Sequence, residues 1–338
     1  MVTQLTANSP DMAKSLAELE EQSNLTASQL LLWVGQKLNP DAPLYNMVFI
    51  FTIQGAIAPD HFQRAFQALV DRSDVFRLTI EEIDGIPQQR VHPSLKYALP
   101  LLDFSAEAEP QDRLRQWVRD RSTQPFDLQT RLFDSALIAL VPDRWVWYLN
   151  QHHLITDIWS VKLIYQAVSS FYRHSINGTL DDAPRLPSYQ DFIAQAKVKS
   201  PKVKLPNEQS RSRLYQTAAA YWQQQQLPAP VPLYGKIAAP VSPRTRRVSC
   251  ELGPDRTAML QRLAIESEAR ALTPQLSLFN LIAAVLFAYL YRISSSTQLA
   301  VATPAHGRPT ATLKETIGVF IELFPLQTEI ESGETFAI

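Results

Sequence analysis

The chain has 338 residues, 46% of them apolar and 9% aromatic, which is ample for a packed core divided between two lobes or domains. A formal net charge of −1 gives no electrostatic basis for binding nucleic acid or an anionic membrane. The single cysteine, Cys250, excludes an internal disulfide and a cysteine-based zinc site, and fits a cytoplasmic protein.

Residues 1–24 form a polar leader without the apolar core of a secretory signal, and Met12 to Glu21 reads as a short polar helix. Thr26-Ala27-Ser28-Gln29 caps an apolar helix through Trp33 to Lys37. Asn46 to Ile53 reads as a strand, Pro59 to Val70 as a helix, and Val75 to Glu82 and Ile86 to Val91 as strands joined at Asp84-Gly85. Ala106 to Ser122 has a polar-faced helical pattern. Phe133 to Val141 and Arg144 to Gln151 read as two strands across a turn at Pro142-Asp143. Both faces of the second strand are apolar, which predicts a central, buried position. From Asp157 to Tyr172 the apolar residues Ile158, Val161, Ile164, Tyr165, Val168 and Phe171 recur at helical spacing.

Residues 197–213 carry four lysines, two arginines and one glutamate. That run reads as a solvated loop or as a contact for an acidic partner. Five prolines in residues 228–243 predict a stiff crossing between lobes. Beyond it, Arg246 to Leu252 reads as a strand, Gly253-Pro254 opens a helix to about Ala269, and Pro274 to Arg292 reads as a largely buried helix. Leu299 to Thr303 reads as a strand and Ile317 to Gln327 as a further apolar segment. The longest uninterrupted apolar run, Leu281 to Leu290, falls short of the ~20 residues that span a bilayer. The predicted domains are 25–227, bearing the histidine motif described next, and 244–338.

The residues richest in chemistry are Gln151-His152-His153-Leu154-Ile155-Thr156-Asp157-Ile158-Trp159-Ser160. Strand alternation sends His152 and His153 to opposite sides, so they cannot share one role. A neutral imidazole near an ester or thioester carbonyl can orient an amine or hydroxyl and take its proton. Spacing alone leaves this reading beside a blander one, in which Asp157 is a helix N-cap and one histidine is a satisfied core residue. Adjacent histidines point apart, and His61, His92, His174 and His306 form no ligand spacing, so a metal site is not expected.

The motif resembles His-His-x-x-x-Asp-Gly, often followed by Trp-Ser, of the condensation domains of nonribosomal peptide synthetases, in the chloramphenicol-acetyltransferase-like superfamily. Further segments resemble the same family in order. They are Leu25 to Trp33, where the family has Arg at or near Leu31; Asp71 to Arg77, with Ser73 for the family His and Arg77 kept; and Tyr189-Gln190-Asp191-Phe192. Pro304 to Arg308 follows, then Ile317 to Pro325, with Glu322 where Asn is usual. The resemblance implies a mixed α/β fold of two lobes in a V. The later His-Gln-x-x-Pro-Phe and Arg-x-x-x-Asn-Pro motifs do not occur, so an incomplete second lobe is expected. Trp159-Ser160 directly after the motif is similar to condensation rather than epimerisation domains, and the two histidines differ from heterocyclisation domains.

The resemblance makes His153 the catalytic residue, as base or positioning group. It makes His152, Ile158, Trp159 and Ser160 support for the motif, pairs Asp157 with Arg308, and sets Arg77 as a cation near the centre. It implies an acyltransferase that joins a carrier-bound acyl thioester to an amine. No cofactor is bound directly; phosphopantetheine arrives on acyl or peptidyl carrier domains, within or beside a multidomain synthase. An ester-forming enzyme and a catalytically degenerate carrier-docking module are the alternatives. Ile158 replaces the motif glycine, so either its φ is negative or the loop is rearranged.

Overall fold

The computed structural model describes residues 18–198, 216–218, 220–225, 227–228, 248–331 and 333. The basic run and the proline crossing therefore lie almost wholly outside the described residues, as does most of the leader helix. The chain forms two compact units, one of residues 1–204 with 306–322, the other of residues 205–305 with 323–338.

In the first unit, α1 (Ala27–Leu38) starts at a capping box: Thr26 accepts from the Gln29 amide while Gln29 returns a bond to the Thr26 N–H. Next come β1 (Asn46–Gln54), α2 (Pro59–Arg72), β2 (Leu78–Ile83) and β3 (Ile86–Val91). Then follow β4 (Leu101–Asp103), α3 (Pro110–Ser122), β5 (Phe133–Val141), β6 (Arg144–His152), α4 (Ile158–Ile176) and α5 (Tyr189–Val198). The main sheet has the order β1-β6-β5-β4, antiparallel except for the parallel β4–β5 pair. Strand β6 is thus central. Its Trp147 and Leu149 join Phe62 and Phe66 of α2 and Ile164 and Val168 of α4 in one core. On the opposite face Val146 and Tyr148 pack with Leu114 and Trp117 of α3. Burial on both faces is why the strand reads as a continuous apolar run.

Two element starts in the first unit differ by three residues or more from the sequence reading. The expected strand from Val75 begins only at Leu78, because Asp74–Arg77 forms a 3-10 turn. Local β preference yields there to the end of α2, whose carbonyls of Val70, Asp71 and Ser73 are all bonded by the Arg77 side chain. The helix expected from Ala106 starts at Pro110, which occupies the first turn, where a missing N–H costs nothing.

In the second unit α6 (Gly253–Glu266) packs on α7 (Pro274–Ser294), and β7 (Gln298–Ala305) pairs with β8 (Glu322–Glu329). Residues 248–252 are not a strand, and the expected apolar segment from Ile317 divides into a buried turn and β8. Helix α7 is the larger correction. Its sequence predicts a largely buried helix, yet Leu276, Phe279, Ile282, Leu286 and Tyr289 are exposed, and only Ser277, Leu281 and Phe287 are buried. Apolar content makes a face able to bury; it does not supply a neighbour to cover it. At 21 residues, with a mean hydropathy of 1.8 over its most apolar window, α7 is also long and apolar enough to cross a membrane, contrary to the reading from the uninterrupted run alone.

Between β7 and β8, residues 306–322 return to the first unit as a loop, the short helix α8 (Ala311–Glu315) and a buried turn.

Candidate active site

Strand β6 ends at His152, and the chain turns through Leu154 and Ile155, both buried, into the N-terminus of α4. The side chain of Gln29 in α1 donates to the Leu154 carbonyl at 3.0 Å and fixes this turn from outside.

The two histidines differ as alternation predicts. His152 is 1% exposed. Its Nδ1 accepts from the Leu154 N–H at 3.1 Å, so Nε2 carries the proton and donates to Gln36 Oε1 at 3.2 Å. Burial, with a smaller contribution from His153, pushes its pKa down to about 3. It is a neutral core residue.

His153 is half-buried. Its Nδ1 lies 2.8 Å from the Thr156 carbonyl oxygen. A carbonyl only accepts, so Nδ1 bears a proton, and in the neutral ring the Nε2 lone pair is then left for chemistry. The backbone N–H of His153 donates to the Tyr45 carbonyl at 2.8 Å. Its ring and its main chain are therefore both fixed.

Asp157 is the N-cap of α4, as the simpler reading allowed, and it is also more than a cap. Its Oδ1 accepts from the Ser160 N–H at 2.9 Å. The carboxylate also meets Arg308 Nη2 at 2.8 and 2.9 Å, and its Oδ2 accepts from the Phe320 N–H at 3.0 Å. Its side chain is 2% exposed and that of Arg308 0%. Arg308 Nη1 donates to the carbonyls of Leu313 and Thr316, and its guanidinium lies 3.9 Å above the Phe320 ring. Burial pushes the Arg308 pKa down, opposed by Asp157. Ser160 Oγ sits among Asp157, Arg308 and the Gly318 backbone.

This clamp holds residues 306–322 against the motif helix. Gly307, with φ +61°, allows the turn before Arg308; a Cβ there would lie 2.0 Å from the Phe320 oxygen. Tyr189 of α5, fully buried, donates to the Val319 carbonyl at 2.9 Å, and its ring fills the place a side chain at Gly318 would take. The Tyr189 motif is thus a buttress. Trp159 donates to the Lys314 carbonyl at 2.9 Å and its ring lies 5.4 Å from that of His306.

Ile158 is the first residue of α4 and is not among the described residues with positive φ, so the negative-φ alternative is the one adopted. Its side chain is 64% exposed. Arg77 bonds none of the motif residues; its donors close the end of α2 and reach the His92 carbonyl. Ser73, where the resembled family has His, lies in the same α2 terminus. Sequence reasoning missed Gln36 and Tyr45, one of which acts through its backbone and leaves no side-chain signature. Among the described residues no three His, Cys, Asp or Glu side chains converge as a metal site.

A buried aspartate–arginine clamp behind a half-buried histidine with a free Nε2 occurs here on a mixed α/β framework. The chain belongs to the condensation-domain family, whose model, described as Condensation domain, matches residues 19–338. That match includes α7, which is thereby an element of this domain. The chain is 27% identical to a linear gramicidin synthase polypeptide of Brevibacillus parabrevis over 92% of its length, and 26% identical to the dimodular nonribosomal peptide synthase of Bacillus subtilis (strain 168) over 94%. It spans only 4% and 13% of those relatives.

Among solved structures it is similar to a doubly substituted mutant of the starter condensation domain of rhizomide synthetase in complex with C8-CoA and Leu-SNAC. That likeness has a TM-score of 0.74 and 26% identity over 91% of this chain and 66% of that one. It is also similar to the first condensation domain of the calcium-dependent antibiotic synthetase in complex with a substrate analogue. There the TM-score is 0.72 and the identity 25%, over 92% of this chain and 71% of that one. Condensation domains of nonribosomal peptide synthetases are acyltransferases that act on phosphopantetheine-bound substrates of partner carrier domains.

Proposed function

We propose that this domain joins an acyl thioester presented by one carrier to an amine presented by another, forming an amide. The observation that carries this reading is the contact of His153 Nδ1 with the Thr156 carbonyl, which in the neutral ring turns the Nε2 lone pair to the half-exposed end of the motif. The acceptor nitrogen attacks the thioester carbonyl carbon while Nε2 orients it and takes one of its protons. Collapse of the tetrahedral intermediate breaks the C–S bond, and the departing thiolate takes the proton from the imidazolium. The products are the amide and the free thiol, with the histidine restored. Asp157, Arg308 and Ser160 do not touch the reacting atoms in this scheme; they hold the turn that carries His153.

The test uses C8-CoA as donor and Leu-SNAC as acceptor, the molecules bound by the mutant rhizomide synthetase domain. Amide product is measured by mass spectrometry. The expected result is product from the wild type and a loss of about 10²-fold or more with His153→Ala, the range for a general base. Equal product from both proteins would refute a catalytic His153. Carrier binding without turnover of any donor would favour a docking module instead.

A further inference from the structure

We infer that Tyr45, seated on Gly35, is a positioning residue that sets where His153 lies. The inference rests on the catalytic reading of His153 just given, but its geometry does not. The pair Asn46↔His152 ends the β1–β6 ladder, and the His153 N–H donates to the Tyr45 carbonyl one residue further, as a final rung. The backbone position of the proposed catalytic residue is thus tied to that of Tyr45.

Tyr45 in turn is tied to α1. Its phenol lies against Gly35 so closely that a Cβ there would stand 1.9 Å from Oη and 2.9 Å from Cζ. A glycine inside a helix is destabilising relative to alanine. Gly35 has no positive φ to justify that cost, so space for Tyr45 is the reason it fits. The Tyr45 ring also faces His152, with centroids 5.9 Å apart.

The neighbouring residue completes the device. Gln36 accepts from His152 Nε2, and its amide nitrogen donates to the carbonyls of Asn39, Pro40 and Ala42. One stretch, residues 35–45, therefore holds both histidines: the Gln36 side chain fixes His152, and the Tyr45 main chain fixes His153. The seating of α1 on the sheet is transmitted to the reacting centre.

An alanine methyl at position 35 needs about 3.4 Å, so the phenol must retreat, and on this inference the Tyr45 carbonyl shifts with it. A misplacement approaching 1 Å at a reacting group costs about 10²-fold in rate. The test compares wild type, Gly35→Ala and Gly35→Ala/Tyr45→Phe. The double variant removes Oη, the atom in the worst conflict, and leaves the smaller conflicts at Cζ, 2.9 Å, and Cε2, 3.2 Å.

Two readouts are taken. The first is hydrogen exchange at the His153 amide, which needs no substrate. The expected result is roughly tenfold faster exchange in Gly35→Ala and partial recovery of protection in the double variant. The second is turnover of C8-CoA with Leu-SNAC, where Gly35→Ala is expected to lower kcat about 10- to 100-fold with KM nearly unchanged, again with recovery in the double variant. Unchanged exchange at His153 in Gly35→Ala, or equal loss in single and double variants, overturns the inference. A wild type that turns over no acyl donor removes the proposed function, and the exchange measurement then decides the positioning claim alone.

Discussion

Arg308→Met removes one half of a deeply buried ion pair. In the native state Asp157 has two guanidinium contacts, one Ser160 N–H, one Phe320 N–H and a hydroxyl, at 2% exposure. Methionine keeps most of the stem's packing against Phe320 but supplies no charge and no donor. Asp157 then remains buried as an anion with only backbone and hydroxyl partners. Breaking a buried pair in this way costs about 3–5 kcal/mol, whereas an exposed pair is worth at most about 1 kcal/mol. Against a total stability of about 5–15 kcal/mol, that is a large fraction. With a urea m-value of about 2–3 kcal/mol/M, the midpoint should fall by roughly 1–2.5 M.

The assay is urea unfolding followed by circular dichroism, with hydrogen exchange read at Gly318 and Phe320, the residues the clamp holds. The double variant Asp157→Leu/Arg308→Met removes both charges and should recover much of the loss, since apolar replacement of a buried pair is often near neutral. A loss below about 1 kcal/mol in Arg308→Met would refute the clamp as a structural element.

Three further outcomes follow from particular residues. His152 has a folded pKa of about 3 against 6.5 for the ordinary group. Both states are neutral above pH 6.5; below it only the unfolded chain gains the proton, so stability falls as pH drops from 6.5 towards 3. Between pH 7 and pH 5 the loss should be about 2 kcal/mol, and His152→Asn should flatten that slope in urea titrations at the two pH values. Gly307→Ala places a methyl where the Phe320 carbonyl stands and strains a positive φ, so thermal unfolding should show a loss of about 2 kcal/mol or more. Thr26→Ala deletes one half of the α1 capping box and should cost about 1 kcal/mol by the same measurement, with no recovery by substitution at any motif residue.

Much of the first unit is legible in the sequence because local signals and packing agree there. The Thr26–Gln29 box marks the start of α1, two-sided apolar patterning marks β6 as central, and Asp157 marks the start of α4. Where local and tertiary demands differ, the sequence misleads: Val75 and Phe76 favour a strand, yet Arg77 turns back to close α2. The role of Arg77 is hidden in the same way, because a cation in a motif-like segment reveals nothing about which carbonyls it will meet. Helix α7 shows a different limit. Its composition announces an apolar surface, but coverage is a property of neighbours, and the described residues leave one face open.

For the site itself, residue types and order are enough to single out His152, His153 and Asp157 and to assign opposite faces to the two histidines. Resemblance adds Arg308, 151 residues from Asp157 in the chain. Only the tertiary structure decides which nitrogen of His153 carries its proton, because that depends on where the Thr156 carbonyl points. Only it brings Gly35, Gln36 and Tyr45 to the motif. The contacts of Gly35 and Tyr45 are made by empty space and a backbone carbonyl, and neither has a letter in the sequence.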